Sequence, residues 1–244
     1  MKLRLLIGVP RPHAGWQRRG GVETKAPTHT DMKSQPVIIV LAAGRGSRFV
    51  GSSHKLAQAF GAGSVLGQTI VHAIESRLPV IVVTTEPLAA EAARWVARRD
   101  VVVLPEVGSP GVGRLGMGFS IAAGVAARPQ AGGWLVLPGD MPLVKPTTLQ
   151  KVAAGLGQHA VVYAQHRGRR GHPVAFGAEL FSELVRLQGD EGARRVTARY
   201  PSTGLEVDDP GVLVDVDTQA DLLALQASAN ASGIPGHLPV RPPA

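Results

Sequence analysis

Apolar positions along the chain fall into two alternating kinds of segment. Short runs rich in β-branched residues, at 37–41, 80–84, 101–104, 134–137 and 160–164, have the length and composition of buried strands. Between them, residues 65–76, 87–98, 118–127 and 146–155 space their apolar side chains as amphipathic helices do. Strand and helix alternating in this way predict a three-layer, Rossmann-like α/β/α domain whose mostly parallel sheet is covered on both faces. On such sheets ligands gather beyond the carboxyl ends of the strands. The loops after Leu41 and after Leu137 both leave at that end. Past Gly168 the pattern is mixed, with helices expected at 178–187, 192–200 and 218–226. There is no internal repeat.

The two ends of the chain lack this order. Residues 1–35 are rich in Pro, Gly, His, Arg and Thr without apolar period, and read as a disordered extension. The opening stretch has basic and apolar residues but neither the hydrophobic region nor the small-residue cleavage site of a signal peptide. Met32-Lys33 stands just before the first strand, where the working protein is expected to begin. A domain over 36–227 is then followed by a flexible tail at 228–244.

Charge changes this picture less than its total suggests. The chain carries a formal +8, but residues 1–31 hold six Lys or Arg against two carboxylates, a net of +4. The body is only mildly basic, and aromatic residues make up 4%, too few to stack unpaired bases. Nucleic acid is therefore not an expected partner, whereas small polyanions such as triphosphates are. The 244 residues contain no cysteine, which excludes disulfides, thiolate nucleophiles and Cys-ligated metal centres and suits a reducing cytoplasm. No apolar run reaches the length of a membrane span.

The candidate chemistry begins in the loop Leu41-Ala42-Ala43-Gly44-Arg45-Gly46-Ser47-Arg48. Successive backbone amides with few bulky side chains make a cradle for phosphate oxygens, and Arg45, Arg48 and Lys55 add positive charge. A dinucleotide fingerprint fails here, because its third glycine would be Phe49 and the first later carboxylate is Glu75, inside an expected helix. A Walker loop fails too, since no Gly-Lys-Ser/Thr follows Gly44 at the required spacing.

The same loop, continued by Phe49, Gly51 and Lys55-Leu56, resembles the signature of nucleotidyltransferases built on a glycosyltransferase-A-like Rossmann domain. Within that superfamily the chain resembles the molybdenum cofactor cytidylyltransferases and their relatives. The likeness runs from about Pro36 to Leu225 through Gly116-Met117-Gly118-Phe119-Ser120-Ile121, Pro138-Gly139-Asp140-Met141-Pro142, Gly171-His172-Pro173-Val174, Gly189-Asp190-Glu191-Gly192-Ala193-Arg194 and Asp215-Val216-Asp217-Thr218. It departs from the family at Phe49-Val50-Gly51, which displaces Lys55 relative to Arg48, and at Thr218-Gln219-Ala220-Asp221-Leu222, which lacks the usual Pro and Glu.

The resemblance implies transfer of CMP from CTP, or of another nucleotide from its triphosphate, to a molybdopterin-type acceptor, with release of pyrophosphate. Leu41 to Arg48, Lys55 and Gly139 would contact the nucleotide, and Arg48, Lys55 and Asp140 would be catalytic. Turn chemistry alone makes Asp140 equally an ordinary loop residue; the likeness makes it a ligand of Mg²⁺. A second carboxylate is expected from Asp217 or Asp215, which share one face of an extended segment and which the sequence does not separate. Asp217 would equally serve as a helix cap. Gly171-His172-Pro173 with Arg167, Arg169 and Arg170 reads as a basic, kinked loop, either receiving the acceptor's phosphate or simply solvated. Asp190 reads as an N-cap, which the likeness sets near the acceptor. His54, His72, His159 and His166 have no metal-ligand spacing and are expected to be structural or exposed. Two further readings share these residues: a guanylyl or sugar-phosphate transferase, and a non-catalytic carrier that passes the cofactor to a molybdoenzyme.

Overall fold

Strand β1 (Val37–Ala42) is apolar on both faces, so it belongs in the middle of a sheet and not at its edge. In the computed structural model, which describes residues 34–44, 54–61, 63–105 and 116–231, it is the third of seven strands. After a single-turn 3₁₀ helix at Lys55–Ala57 come α1 (Val65–Glu75), β2 (Val80–Thr85), α2 (Glu86–Ala92) and β3 (Val101–Leu104). Then follow α3 (Met117–Ala126), β4 (Gly133–Pro138), α4 (Pro146–Gly155), β5 (Val161–His166) and β6 (Arg169–Gly177). The chain continues through α5 (Phe181–Leu184), α6 (Arg194–Arg199), β7 (Ser202–Glu206) and α7 (Gln219–Ala231). The expected extension lies outside the described residues except for positions 34 and 35, and α7 runs past the expected start of the tail.

The sheet order is β3-β2-β1-β4-β6-β5-β7, and every described pairing is parallel except those of β6. The period of two along each strand sorts side chains between two cores. Ile38, Val40, Leu135, Leu137 and Val82 pack against α1, α2, α4 and α7. Ile39, Val136, Trp134, Val83 and Phe176 pack against α3, α5 and α6 on the opposite face. Full burial of a Leu, Ile or Val side chain contributes about 1.5–3 kcal/mol, which is why both faces must be covered.

This architecture fixes where a ligand can sit. The chain winds outward from β1 to β3, then crosses to the other side of β1 to form β4. The carboxyl ends of β1 and β4 therefore border the crevice at which the winding reverses. Gly139 N donates to Leu41 O at 2.8 Å across that crevice, and a Cβ on Gly139 would stand 2.9 Å from the same oxygen. Glycine here allows the two loops to touch.

Two expectations change, and one strand stands where none was expected. Residues 169–177 form a nine-residue strand instead of a basic loop. Pro173 is accommodated because the β5–β6 register shifts between Tyr163 and Gln165, where a missing amide breaks no ladder bond. Residues 202–206, which carry no apolar run, form β7 by pairing with β5 alone. The helix expected over 87–98 ends at Ala92, after which Trp95 turns inward beside Gly67.

Candidate active site

Asp140 enters the site because β4 ends at Pro138 and the next two residues turn over the carboxyl edge. Asp215 and Asp217 arrive from the far end of the domain. They lie on an irregular segment outside the sheet, held where Val216 N donates to Asp140 O at 2.9 Å. Val216 is fully buried, so its neighbours on either side face away from the core toward Asp140. The outcome is a group of three carboxylates whose ligand oxygens lie within 4.8 Å of one another.

Lys55 closes this group from the β1 side. Its Nζ donates to Asp140 Oδ2 at 2.7 Å and to Asp217 Oδ1 at 2.9 Å, and its side chain is only 12% exposed. Burial lowers the lysine's pKa, but hydrogen bonds and charge from Asp140 and then Asp217 outweigh it, and the net shift is upward. Three hard oxygen donors, two of them bonded to Lys55, form a site that can hold a divalent cation.

The start of the glycine-rich loop borders the same crevice. Leu41 and Ala42 end β1, and their carbonyls accept from Gly139 N and Thr84 Oγ1 respectively. Ala43 packs on the core containing α3, while Gly44 has open space where a side chain would be. Arg45, Gly46, Ser47 and Arg48 lie outside the described residues. His54 links the two described ends of this stretch: its Nε2 lies 2.9 Å from Gly44 O, and its Nδ1 accepts from Leu56 N at 3.2 Å. Those partners require the tautomer with hydrogen on Nε2.

His172 and Arg170 stand on β6, where Arg170 is exposed. His172 is half-buried, and its pKa is lowered by burial, with Asp140 opposing, Arg170 reinforcing and Asp215 opposing. The Arg170 guanidinium lies 4.4 Å from the centre of the Tyr163 ring. Arg167 and Arg169 border the tight β5–β6 turn, whose amides at Arg167 and Gly168 donate to Glu206. Asp190 is not a helix cap, because α6 begins later, after Ala193. Instead Gly189 and Asp190 press on the start of α3, where a Cβ on Gly116 would stand 2.3 Å from Asp190 Oδ1. Arg186, Gln188, Asp190, Glu191 and Arg195 help line a cleft of about 640 Å³ there. Gly139 does not offer its amide to a ligand, since Leu41 O takes it.

Two contributors went unread in the sequence. Asp209 is 1% exposed and accepts from Lys145 N, Thr148 Oγ1 and Gly211 N at 2.8, 2.6 and 3.1 Å. It joins the start of α4 to the segment that leads to Asp215; Asp-Pro-Gly at 209–211 was the available signal. Thr218 and Asp221 exchange hydrogen bonds at the start of α7, Thr218 N to Asp221 Oδ2 at 2.7 Å and Asp221 N to Thr218 Oγ1 at 3.2 Å. That reciprocal cap takes the role Asp217 would otherwise fill.

A doubly wound sheet with a cation-capable carboxylate group at its reversal crevice is the setting in which α/β proteins bind their ligands. Residues 38–203 match the MobA-like NTP transferase domain, and the chain belongs to that family of nucleotidyltransferases. Asp215 and Asp217 lie beyond the matched span. The Rv0371c protein of Mycobacterium tuberculosis H37Rv is 31% identical in its crystal structure, with 79% of this chain and 97% of that one covered and a TM-score of 0.66. A second structure of Rv0371c, in complex with manganese, gives 28% identity, 80% and 100% coverage and a TM-score of 0.65. The bifunctional protein GlmU of Alkalilimnicola ehrlichii is 33% identical over 169 residues, 66% of this chain and 34% of that protein. The chain thus spans about a third of the length of the curated relatives it matches. No described helix is long and apolar enough to cross a membrane.

Proposed function

We propose that this chain transfers CMP from CTP to the phosphate of a molybdenum-bearing pterin, with Mg²⁺ and with release of pyrophosphate. The observation that carries the reading is the meeting of Asp140, Asp215 and Asp217 at the mouth of the β1–β4 crevice, with Lys55 bonded to the first and the last. The donor set is all oxygen, three carboxylates whose ligand oxygens lie within 4.8 Å of one another, which suits Mg²⁺ or Mn²⁺. A manganese complex of a relative 28% identical is in keeping with this. When bound, the ion would draw off negative charge that builds on the phosphates as pyrophosphate departs.

The remaining work falls to the chain itself. Asp140, Asp215 and Asp217 hold the ion, and the Lys55 ammonium donates to oxygens of the α-phosphate. Gly44 to Arg48 cradle the other phosphates, with Arg45 and Arg48 balancing charge on the leaving group. An oxygen of the acceptor's phosphate attacks the α-phosphorus as the bond to the β-phosphate oxygen breaks. His172, with Arg170 beside Tyr163, meets the acceptor from β6, and Asp190 orients it from the start of α3. Cytosine is preferred over guanine by resemblance, through Ala43 where guanylyl relatives carry glycine.

A melting panel with CTP, GTP, ATP and UTP in the presence of Mg²⁺ tests the nucleotide assignment, because a ligand of the folded state raises the melting temperature by mass action. CTP is expected to give the largest shift. A larger shift with GTP contradicts the cytidylyl assignment while leaving the class intact.

A further inference from the structure

Lys55 holds an unexpected place for a residue assigned to phosphates. Its ammonium nitrogen lies 2.7 Å from Asp140 and 2.9 Å from Asp217, two of the three carboxylates whose oxygens converge. One positive group thus already draws on atoms that a divalent ion needs. An ion such as Mg²⁺ holds carboxylate oxygens at about 2.1 Å, so on these same atoms it would stand only a few ångströms from Nζ. Like charges at such a separation oppose each other, and the 12% and 18% exposure of the Lys55 and Asp140 side chains limits screening by water.

The lysine has somewhere else to go. Its flexible four-carbon stem springs from the short 3₁₀ turn that follows the glycine-rich loop. A triphosphate seated in the crevice would bring new anionic oxygens within its reach.

We propose that Lys55 is an exchangeable countercation. It competes with the divalent ion for Asp140 and Asp217, and releases them when a triphosphate supplies its amine with other oxygens. Ion and nucleotide therefore bind cooperatively, each tightening the other by the same factor. The inference rests on the assignment of the three carboxylates to the ion. It differs from a purely structural role, in which the lysine would pin the carboxylates in place and its removal would weaken ion binding.

The test is a titration of the full chain with Mn²⁺, the free ion being read by electron paramagnetic resonance. Lys55→Met is expected to bind Mn²⁺ alone about tenfold tighter than the unaltered protein, and the factor by which CTP tightens Mn²⁺ binding should fall correspondingly. Lys55→Gln, with a shorter neutral side chain, should behave in the same way if the methionine variant fails to fold. Unchanged or weaker Mn²⁺ binding in a folded variant overturns the exchange. Adding Asp140→Asn to the Lys55→Met protein separates the two ideas. Loss of the tightened binding locates the ion at these carboxylates, whereas binding that survives overturns the carboxylate assignment itself.

Discussion

Asp140 illustrates how much of a site can depend on where one strand stops. It sits two residues past β4, with its backbone oxygen holding Val216 and its side chain holding Lys55. Asp140→Asn keeps the shape and removes the charge, so pyrophosphate release should fall by roughly 100-fold or more, as when one contact to the transition state is deleted. Melting should be nearly unaffected, because the substitution also relieves repulsion among three carboxylates. A variant that keeps full activity would show that this carboxylate does not act in the reaction. The glycines near α3 make a different prediction. A Cβ on Gly118 would stand 2.7 Å from Gln188 O, a backbone atom that cannot rotate away. Gly118→Ala should destabilise the protein by about 1–3 kcal/mol in urea unfolding, and an unchanged midpoint would contradict so close an approach.

Two linkages between elements carry further consequences. Asp209 ties α4 to the segment bearing Asp215 and Asp217, and two of its three donors, Thr148 Oγ1 and Gly211 N, are buried with it. Asp209→Ala would leave those donors without their acceptor, at a cost of about 3 kcal/mol by denaturant unfolding. Glu91 joins α2 to the cap of α1: Ser64 Oγ accepts from Gly67 N and donates to Glu91, which also accepts from Trp95 and Arg94. Burial raises the Glu91 pKa, yet the hydrogen bonds from Ser64, Trp95 and Arg94 outweigh it, and the net shift is downward. A lowered carboxylate stabilises the fold above its unfolded pKa, about 4.3, and loses that contribution as pH falls through its folded value. Below about pH 4.3 the melting temperature of the unaltered protein should drop more steeply than that of Glu91→Gln. Parallel curves would refute the linkage.

These elements also show what sequence could and could not convey. Strands β1, β2 and β4 were legible because burial on both faces leaves an uninterrupted β-branched run. β6 was hidden by arginines, a glycine and a proline, all of which read locally as loop, although its partners on both sides impose a strand. α2 stops early because Trp95 packs inward against Gly67, a tertiary contact with no local signature.

For the molecule as a whole, the fold class followed from alternation, and Lys55, Asp140, Asp215 and Asp217 could each be named from motifs. Their joint geometry could not. Lys55 lies 85 residues from Asp140 and 162 from Asp217 along the chain, and only the winding of the sheet brings them together. Displacement of Lys55 from Arg48 in the sequence does not keep its amine from the carboxylates. The measurement that bears most directly on the proposed chemistry is pyrophosphate release by the purified chain with Mg²⁺ and molybdenum-bearing pterin, each of the four nucleoside triphosphates being supplied in turn. Release is expected with CTP foremost, dependent on the pterin and lost in Asp140→Asn. Release that ignores the pterin but requires a sugar phosphate, or that persists without Asp140, would contradict that chemistry.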